Sequence, residues 1–164
     1  MHLPDIEQTC TELGQRLAAY LQQNNIEQPL LVGIRTGGVW IAERLQQQLQ
    51  TEDGVSTLDI SFYRDDFTRH GLHPQVKGSE LPDSIEDRHI ILIDDVVMSG
   101  RTIRAAMNEL FDYGRPASIS LVCLLDIGRR ELPIQPDLCG VTLALEEGQL
   151  VKLSGPTPLQ LSLA

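Results

Sequence analysis

The sequence predicts an α/β domain, a mostly parallel central sheet flanked by helices. Two observations carry this. Three short apolar runs, Pro29-Leu-Leu-Val-Gly-Ile34, His89-Ile-Ile-Leu-Ile93 and Ser118-Ile-Ser-Leu-Val-Cys-Leu-Leu125, read as buried strands. The order strand, helix, strand over residues 89–125 implies a right-handed crossover between parallel neighbours. At 164 residues the natural unit is one domain covering the whole chain.

The elements follow in order. Ile6, Cys10, Leu13, Leu17 and Leu21 recur every three or four residues, which predicts an amphipathic helix ending near Asn24-Asn25. The strand Pro29–Ile34 leads into a Gly37-Gly38 turn. Val39, Trp40, Ile41, Leu45 and Leu49 then mark a helix to about residue 50. Leu58, Ile60 and Phe62 alternate with Asp59, Ser61 and Tyr63, the pattern of a half-buried strand. Residues 64–87 are polar, with Gly71, Pro74, Gly78 and Pro82, and read as a long loop of the functional kind. After His89–Ile93, residues 94–101 read as a polar turn. Ile103, Ala106, Met107 and Leu110 give the next helix its apolar stripe, and Gly114 and Pro116 end it. Strand Ser118–Leu125 completes the unit.

Composition narrows the function. The hydrophobic share is 41%, the charged share 22% and the net charge −10, an ordinary globular composition that excludes disorder, a collagen repeat and bulk attraction to nucleic acid. Residues 94–130 carry five bases against five acids, a neutral stretch in an acidic chain. The start has no signal-peptide pattern, and no apolar run reaches membrane-spanning length. Cys10, Cys123 and Cys139 lack metal or redox spacing and read as reduced thiols of a cytoplasmic protein. His70 and His73 have no further Cys or His to complete a zinc set.

The chemistry concentrates in Ile90-Ile-Leu-Ile-Asp94-Asp95-Val96-Val97-Met98-Ser99-Gly100-Arg101-Thr102. A strand delivers two carboxylates to the sheet's carboxyl edge, where ligands of parallel sheets bind. A Ser-Gly-Arg-Thr turn then opens a helix, whose N-terminal N–H groups and dipole attract phosphate. Gly100 allows close approach, Ser99 and Thr102 add hydroxyls, and the carboxylates suit a sugar diol or waters around Mg2+. Together these describe a ribose 5-phosphate site. Taken singly, Ser99 reads as a helix cap, the acid pair as solvated edge residues, and Gly37-Gly38 as a plain turn.

Ile90–Thr102 resembles the phosphoribosyl-pyrophosphate signature of type I phosphoribosyltransferases. More narrowly, Ser61–Asp66, Asp94–Ala106, Gly114–Ala117 and Arg130–Ile134 resemble the PyrR family of bifunctional pyrimidine regulators with uracil phosphoribosyltransferase activity. The similarity is read over residues 30–140, with a poor match in the last 24.

The resemblance implies the type I phosphoribosyltransferase fold with a small hood and a flexible loop. It implies that Asp94 and Asp95 contact the ribose hydroxyls and hold Mg2+ through water and substrate, and that the 5-phosphate sits on Val96, Val97, Met98, Ser99, Gly100, Arg101 and Thr102. Arg35, Thr36, Gly37 and Gly38 correspond to the pyrophosphate loop. The flexible loop lies at about 64–81, with Arg64, Arg69 or Lys77 meeting pyrophosphate. The hood lies at about 126–153, with Asp126 at the base. Arg35, Arg64, Asp94 and Asp95 are the catalytic candidates; no base is assigned among them, although Asp95 stands beside a like charge. Implied ligands are phosphoribosyl pyrophosphate, uracil and UMP, and the implied assembly is a homodimer or larger.

The chain departs from the family in three places. Thr36-Gly37-Gly38 stands for Thr-Arg-Gly, Asp126-Ile127-Gly128-Arg129-Arg130 for Asp-Arg-Gly-His-Arg, and Glu146-Glu147 lies where basic residues tied to RNA binding are usual. Two alternatives therefore stand beside uracil transfer: a UMP-sensing RNA-binding attenuator with little catalysis, and a phosphoribosyltransferase for another base.

Overall fold

A computed structural model describes residues 1–61 and 78–164. The flexible loop expected at 64–81 falls mostly outside them, and so do Arg64, Arg69, His70, His73 and Lys77.

Helix α1 spans Ile6–Gln23, with the Asp5 carboxylate accepting the Gln8 N–H at its N-cap. Its apolar stripe is the expected one: Leu13 and Leu17 are fully buried. Strand β1 (Leu30–Ile34), helix α2 (Gly37–Leu49), strand β2 (Ser56–Leu58), strand β3 (His89–Val97), helix α3 (Arg101–Tyr113), strand β4 (Ser118–Asp126) and strand β5 (Leu138–Thr142) follow. They form one parallel sheet in the order β2-β1-β3-β4-β5. A two-stranded antiparallel ribbon, β6 (Val151–Ser154) and β7 (Gln160–Leu163), ends the chain.

Both sheet faces are covered, so β1 is buried at every position. Leu31, Ile91, Ile93, Val122 and Leu124 pack towards α1, α2 and Leu159, which lies between β6 and β7. Leu30, Val32, Ile90, Leu92 and Leu121 pack with Ile103, Ala106 and Leu110 of α3. The alternation along each strand is the two-residue period of the pleat, applied to a sheet apolar on both sides.

Two expectations need correction. The half-buried strand over 58–63 is instead β2, with Ser56, Thr57 and Leu58 all buried. Its partner strand runs out at the pair Ile34↔Leu58, so Asp59, Ile60 and Ser61 have no ladder on β1 to join, and Phe62 and Tyr63 lie outside the described residues. Residues 94–97 are not turn but strand, because Asp94, Val96 and Val97 stay in register with Cys123, Leu125 and Asp126 of β4. Within the segment 126–153, expected to form the hood, β5 pairs with β4 as the main sheet's edge strand. Among the described residues no helix is long and apolar enough to cross a membrane.

Candidate functional site

The strand order reverses between β1 and β3, which are direct neighbours. A crevice opens beyond the carboxyl ends of strands at such a point. The Arg35-Thr36 turn into α2 and the Met98-Ser99-Gly100 loop into α3 both leave the sheet there. The Arg35–Thr36 peptide bond is cis.

Close approach between the two turns depends on glycine. A Cβ on Gly38 would lie 2.5 Å from the Ile93 carbonyl oxygen of β3. One on Gly37 would collide with Asp95 Oδ2 and lie 2.6 Å from its Cγ. The Gly-Gly pair is therefore more than a flexible turn: it lets the start of α2 rest on β3 and against the Asp95 carboxylate.

The acids sit on the last turns of the pleat. Asp94 is 5% exposed, and its Oδ1 accepts the Asp95 N–H at 2.9 Å. Asp95 is half-buried, and its Oδ1 accepts the Val96 N–H at 2.9 Å. These bonds to backbone orient both carboxylates while leaving each further acceptor capacity.

In the loop after β3, four successive carbonyls are bound by the protein. Val97 O accepts from Ile127 N at 2.9 Å, and Met98 O from Arg130 Nη1 at 2.8 Å. Ser99 O accepts from Glu131 N at 2.9 Å and Leu132 N at 3.2 Å, and Gly100 O from Arg104 N at 3.0 Å. With its acceptors tied back, the loop has the α3 N–H groups that follow Arg101 and the Ser99 and Thr102 hydroxyls to offer a ligand. Gly100 has φ 94°, a left-handed conformation that glycine adopts without penalty. Ser99 does serve as a cap, its Oγ accepting the Arg101 N–H at 3.1 Å, and its hydroxyl hydrogen is still available to donate.

A cavity of about 180 Å³ lies against this loop. One side is Asp94, Val96 to Gly100, Thr102 and Ile103; the other is Ile127, Leu145, Leu150 and Val151. That second, apolar wall was not singled out in the sequence. Its signal is faint, because its residues are scattered over 25 positions and converge only in the fold. Arg129 holds part of it, Nη2 donating to the carbonyls of Leu145 at 2.9 Å and Glu146 at 2.8 Å.

Asp95, Thr36, Gly37 and Gly38 do not line this cavity, and neither do Arg35, Arg101 and Asp126, which make bonds elsewhere. Arg35 Nε donates to Gly78 O and Nη2 to Thr57 Oγ1, both at 3.2 Å, with Glu80 at 3.7 Å. Arg101 Nε donates to Glu131 Oε2 at 2.6 Å. Asp126, 6% exposed, receives both terminal nitrogens of Arg130 at 2.9 and 2.7 Å, and Gly128 N at 2.9 Å. Beside the acids, Cys123 is the register partner of both Asp94 and Cys139. The hydrogen bond from Cys123 lowers the Cys139 thiol to about 7, while that bond and burial push Cys123 up.

Residues 4–144 match the phosphoribosyl transferase domain family. The chain is 58% identical over 163 residues to the "Bifunctional protein PyrR" of Pseudomonas fluorescens, covering 99% of this chain and 97% of that protein. It is 56% identical to the protein of the same name from Pseudomonas aeruginosa, covering 98% and 95%. Among solved structures it resembles a hypoxanthine phosphoribosyltransferase from Staphylococcus aureus, with TM-score 0.66, 22% identity, and coverage of 85% and 76%. That likeness shows the fold. The similarity to relatives therefore runs beyond residues 30–140, and the last 24 residues belong to it.

Proposed function

The chain belongs to the PyrR family of phosphoribosyltransferases, and from that premise we propose that it converts uracil and phosphoribosyl pyrophosphate to UMP and pyrophosphate and senses UMP through the same pocket. The observation that carries this reading is the pairing of two strand-end carboxylates with a loop whose four successive carbonyls are already bound. The carboxylates of Asp94 and Asp95 accept from the ribose hydroxyls. The α3 N-terminus, with Ser99 and Thr102, donates to the 5-phosphate. The Thr36-Gly37-Gly38 turn offers its backbone to the pyrophosphate. The apolar wall of Ile127, Leu145, Leu150 and Val151 covers the flat base and keeps water from C1′.

The bond from C1′ to pyrophosphate breaks as the base nitrogen bonds to C1′, and the nitrogen's proton is released. Holding the two reactants in line is the protein's main contribution, worth on the order of 7–11 kcal/mol at best. The acid pair fits Mg2+: it is an all-oxygen donor set, and two carboxylates leave the rest of an octahedral shell to water and substrate. Bound there, the ion supplies positive charge to the departing pyrophosphate. Arg35 and Arg64 remain the basic candidates for that leaving group, Arg64 lying outside the described residues. The proposal includes assembly as a homodimer or larger, which analytical ultracentrifugation reads directly.

The double substitution Asp94→Asn, Asp95→Asn tests this. UMP formation is expected to vanish while the circular dichroism spectrum stays unchanged; turnover like that of the wild type sinks the assignment.

The name of the relatives also raises direct RNA attenuation. Of the three arginines that could build a basic face, Arg115, Arg129 and Arg130, two are held within the chain: Arg129 by two carbonyls and Arg130 by Asp126. Glu146 and Glu147 are exposed. These observations favour the enzyme. A gel shift with pyrimidine leader RNA at low salt is expected to show no complex with or without UMP; a salt-sensitive complex overturns that preference.

A further inference from the structure

All five N–H groups of the Arg130 guanidinium have acceptors. Nε donates to Ile134 O at 2.6 Å, and Nη1 to Met98 O at 2.8 Å and Asp126 Oδ1 at 2.9 Å. Nη2 donates to Asp126 Oδ2 at 2.7 Å and Gln135 Oε1 at 3.4 Å. The pair is well screened from water, its side chains 18% and 8% exposed. Asp126 is the last residue of β4 and the register partner of Val97, the last residue of β3. One side chain thus links the end of β4, the turn at 134–135 and the first residue of the phosphate loop. Arginine suits this place because its donors are numerous and fixed in one plane, whereas lysine offers three donors from a single nitrogen.

We infer that Arg130 is the positioning residue of the phosphate loop: by holding the Met98 carbonyl away from the ligand, it sets the loop's N–H groups for a sugar 5-phosphate. Asp126 then acts through Arg130, orienting it, rather than by touching the base. This rests on the functional reading above. It adds that the affected contact is the phosphate, not the pyrimidine. A Met98 carbonyl released from Arg130 is free to turn towards the phosphate, where an acceptor facing an anion repels it. A role limited to holding the fold together would weaken binding of both halves of the nucleotide alike.

The test is calorimetric titration of the full chain with UMP and with uridine, which lacks the phosphate, together with thermal unfolding. Arg130→Lys keeps a positive charge beside buried Asp126, so it folds where Arg130→Ala leaves an unpaired carboxylate. For Arg130→Lys, UMP affinity is expected to fall about tenfold or more while uridine affinity stays within about twofold. Asp126→Asn, which frees Arg130 to shift but keeps it, is expected to show the same asymmetry with a smaller loss. Equal losses for UMP and uridine, or wild-type UMP affinity in Arg130→Lys, overturn the positioning role while leaving the site itself standing. Failure of the wild-type chain to bind UMP overturns the reading of the site and this role with it.

Discussion

Gly37→Ala separates the site's geometry from its stability. A Cβ on Gly37 would lie 2.6 Å from Asp95 Cγ, where ordinary contacts begin at 3.4 Å, so the carboxylate must retreat by about 0.8 Å. The retreat strains the hydrogen bond from Val96 N to Asp95 Oδ1, now 2.9 Å, and turns the side chain off its rotamer. Each costs about 0.5–1.5 kcal/mol. The expected destabilisation is about 1–3 kcal/mol, a fall of about 2–12 °C in Tm for a chain of this size. The functional cost is larger, because misplacing a reacting group by about 1 Å costs on the order of 100-fold in rate. Two controls bracket it. At Gly38 the obstacle is the Ile93 carbonyl, fixed in β3, so Gly38→Ala is expected to lose more than about 3 kcal/mol. At Gly54 nothing lies within 4 Å, so Gly54→Ala is expected within about 0.5 kcal/mol of wild type. The assays are thermal unfolding and kcat/KM for phosphoribosyl pyrophosphate. A folded Gly37→Ala protein with unchanged kcat/KM refutes the placement of Asp95 at the sugar.

Two further outcomes follow from titratable groups. Glu109 is 8% exposed; its Oε1 accepts from Ser79 Oγ at 2.6 Å and its Oε2 is buried without a hydrogen-bond partner among the described residues. Burial, above all, raises its pKa from 4.5, so the unfolded chain gives up this proton first and stability falls as pH rises above 4.5. Glu109→Gln is therefore expected to raise Tm at pH 7.5 and to lose that advantage at pH 4; an unchanged Tm at pH 7.5 contradicts this. Among the thiols, half-buried Cys139, lowered to about 7, is expected to react first with iodoacetamide at pH 7.5. Cys10, pushed up to about 11 by burial and Glu7, and fully buried Cys123 should stay unmodified until unfolding, as peptide mass mapping can read.

Much of the fold was legible because its elements repeat a simple physical pattern. The stripe Ile6, Cys10, Leu13, Leu17, Leu21 is α1, and Gly114 ends α3 where read. The acid pair and the turn after it were also legible, as a local string of residue types. What escaped depends on partners distant in sequence. The polar Asp94-Asp95 pair interrupts the apolar run, yet β4 continues alongside and keeps β3 extended to Val97. Alternation over 58–63 suggested a strand, yet β1 offers no partner beyond Ile34. One of the five bonds of Arg130 reaches across 32 residues to Met98, and nothing in the spacing of Asp126 and Arg130 announces it. Asp126 reads as a ligand contact because an acid in a ligand-binding loop has the right chemistry; its pairing with Arg130 is what the sequence did not show.

The most direct measurement is a steady-state assay with phosphoribosyl pyrophosphate and Mg2+ over uracil, orotate, hypoxanthine and guanine. Release of pyrophosphate with uracil, giving UMP, and little or none with the other three is the expected result. Turnover that prefers a purine or orotate, or no turnover with any of the four, would contradict a uracil site between the acid-tipped strand and its apolar wall.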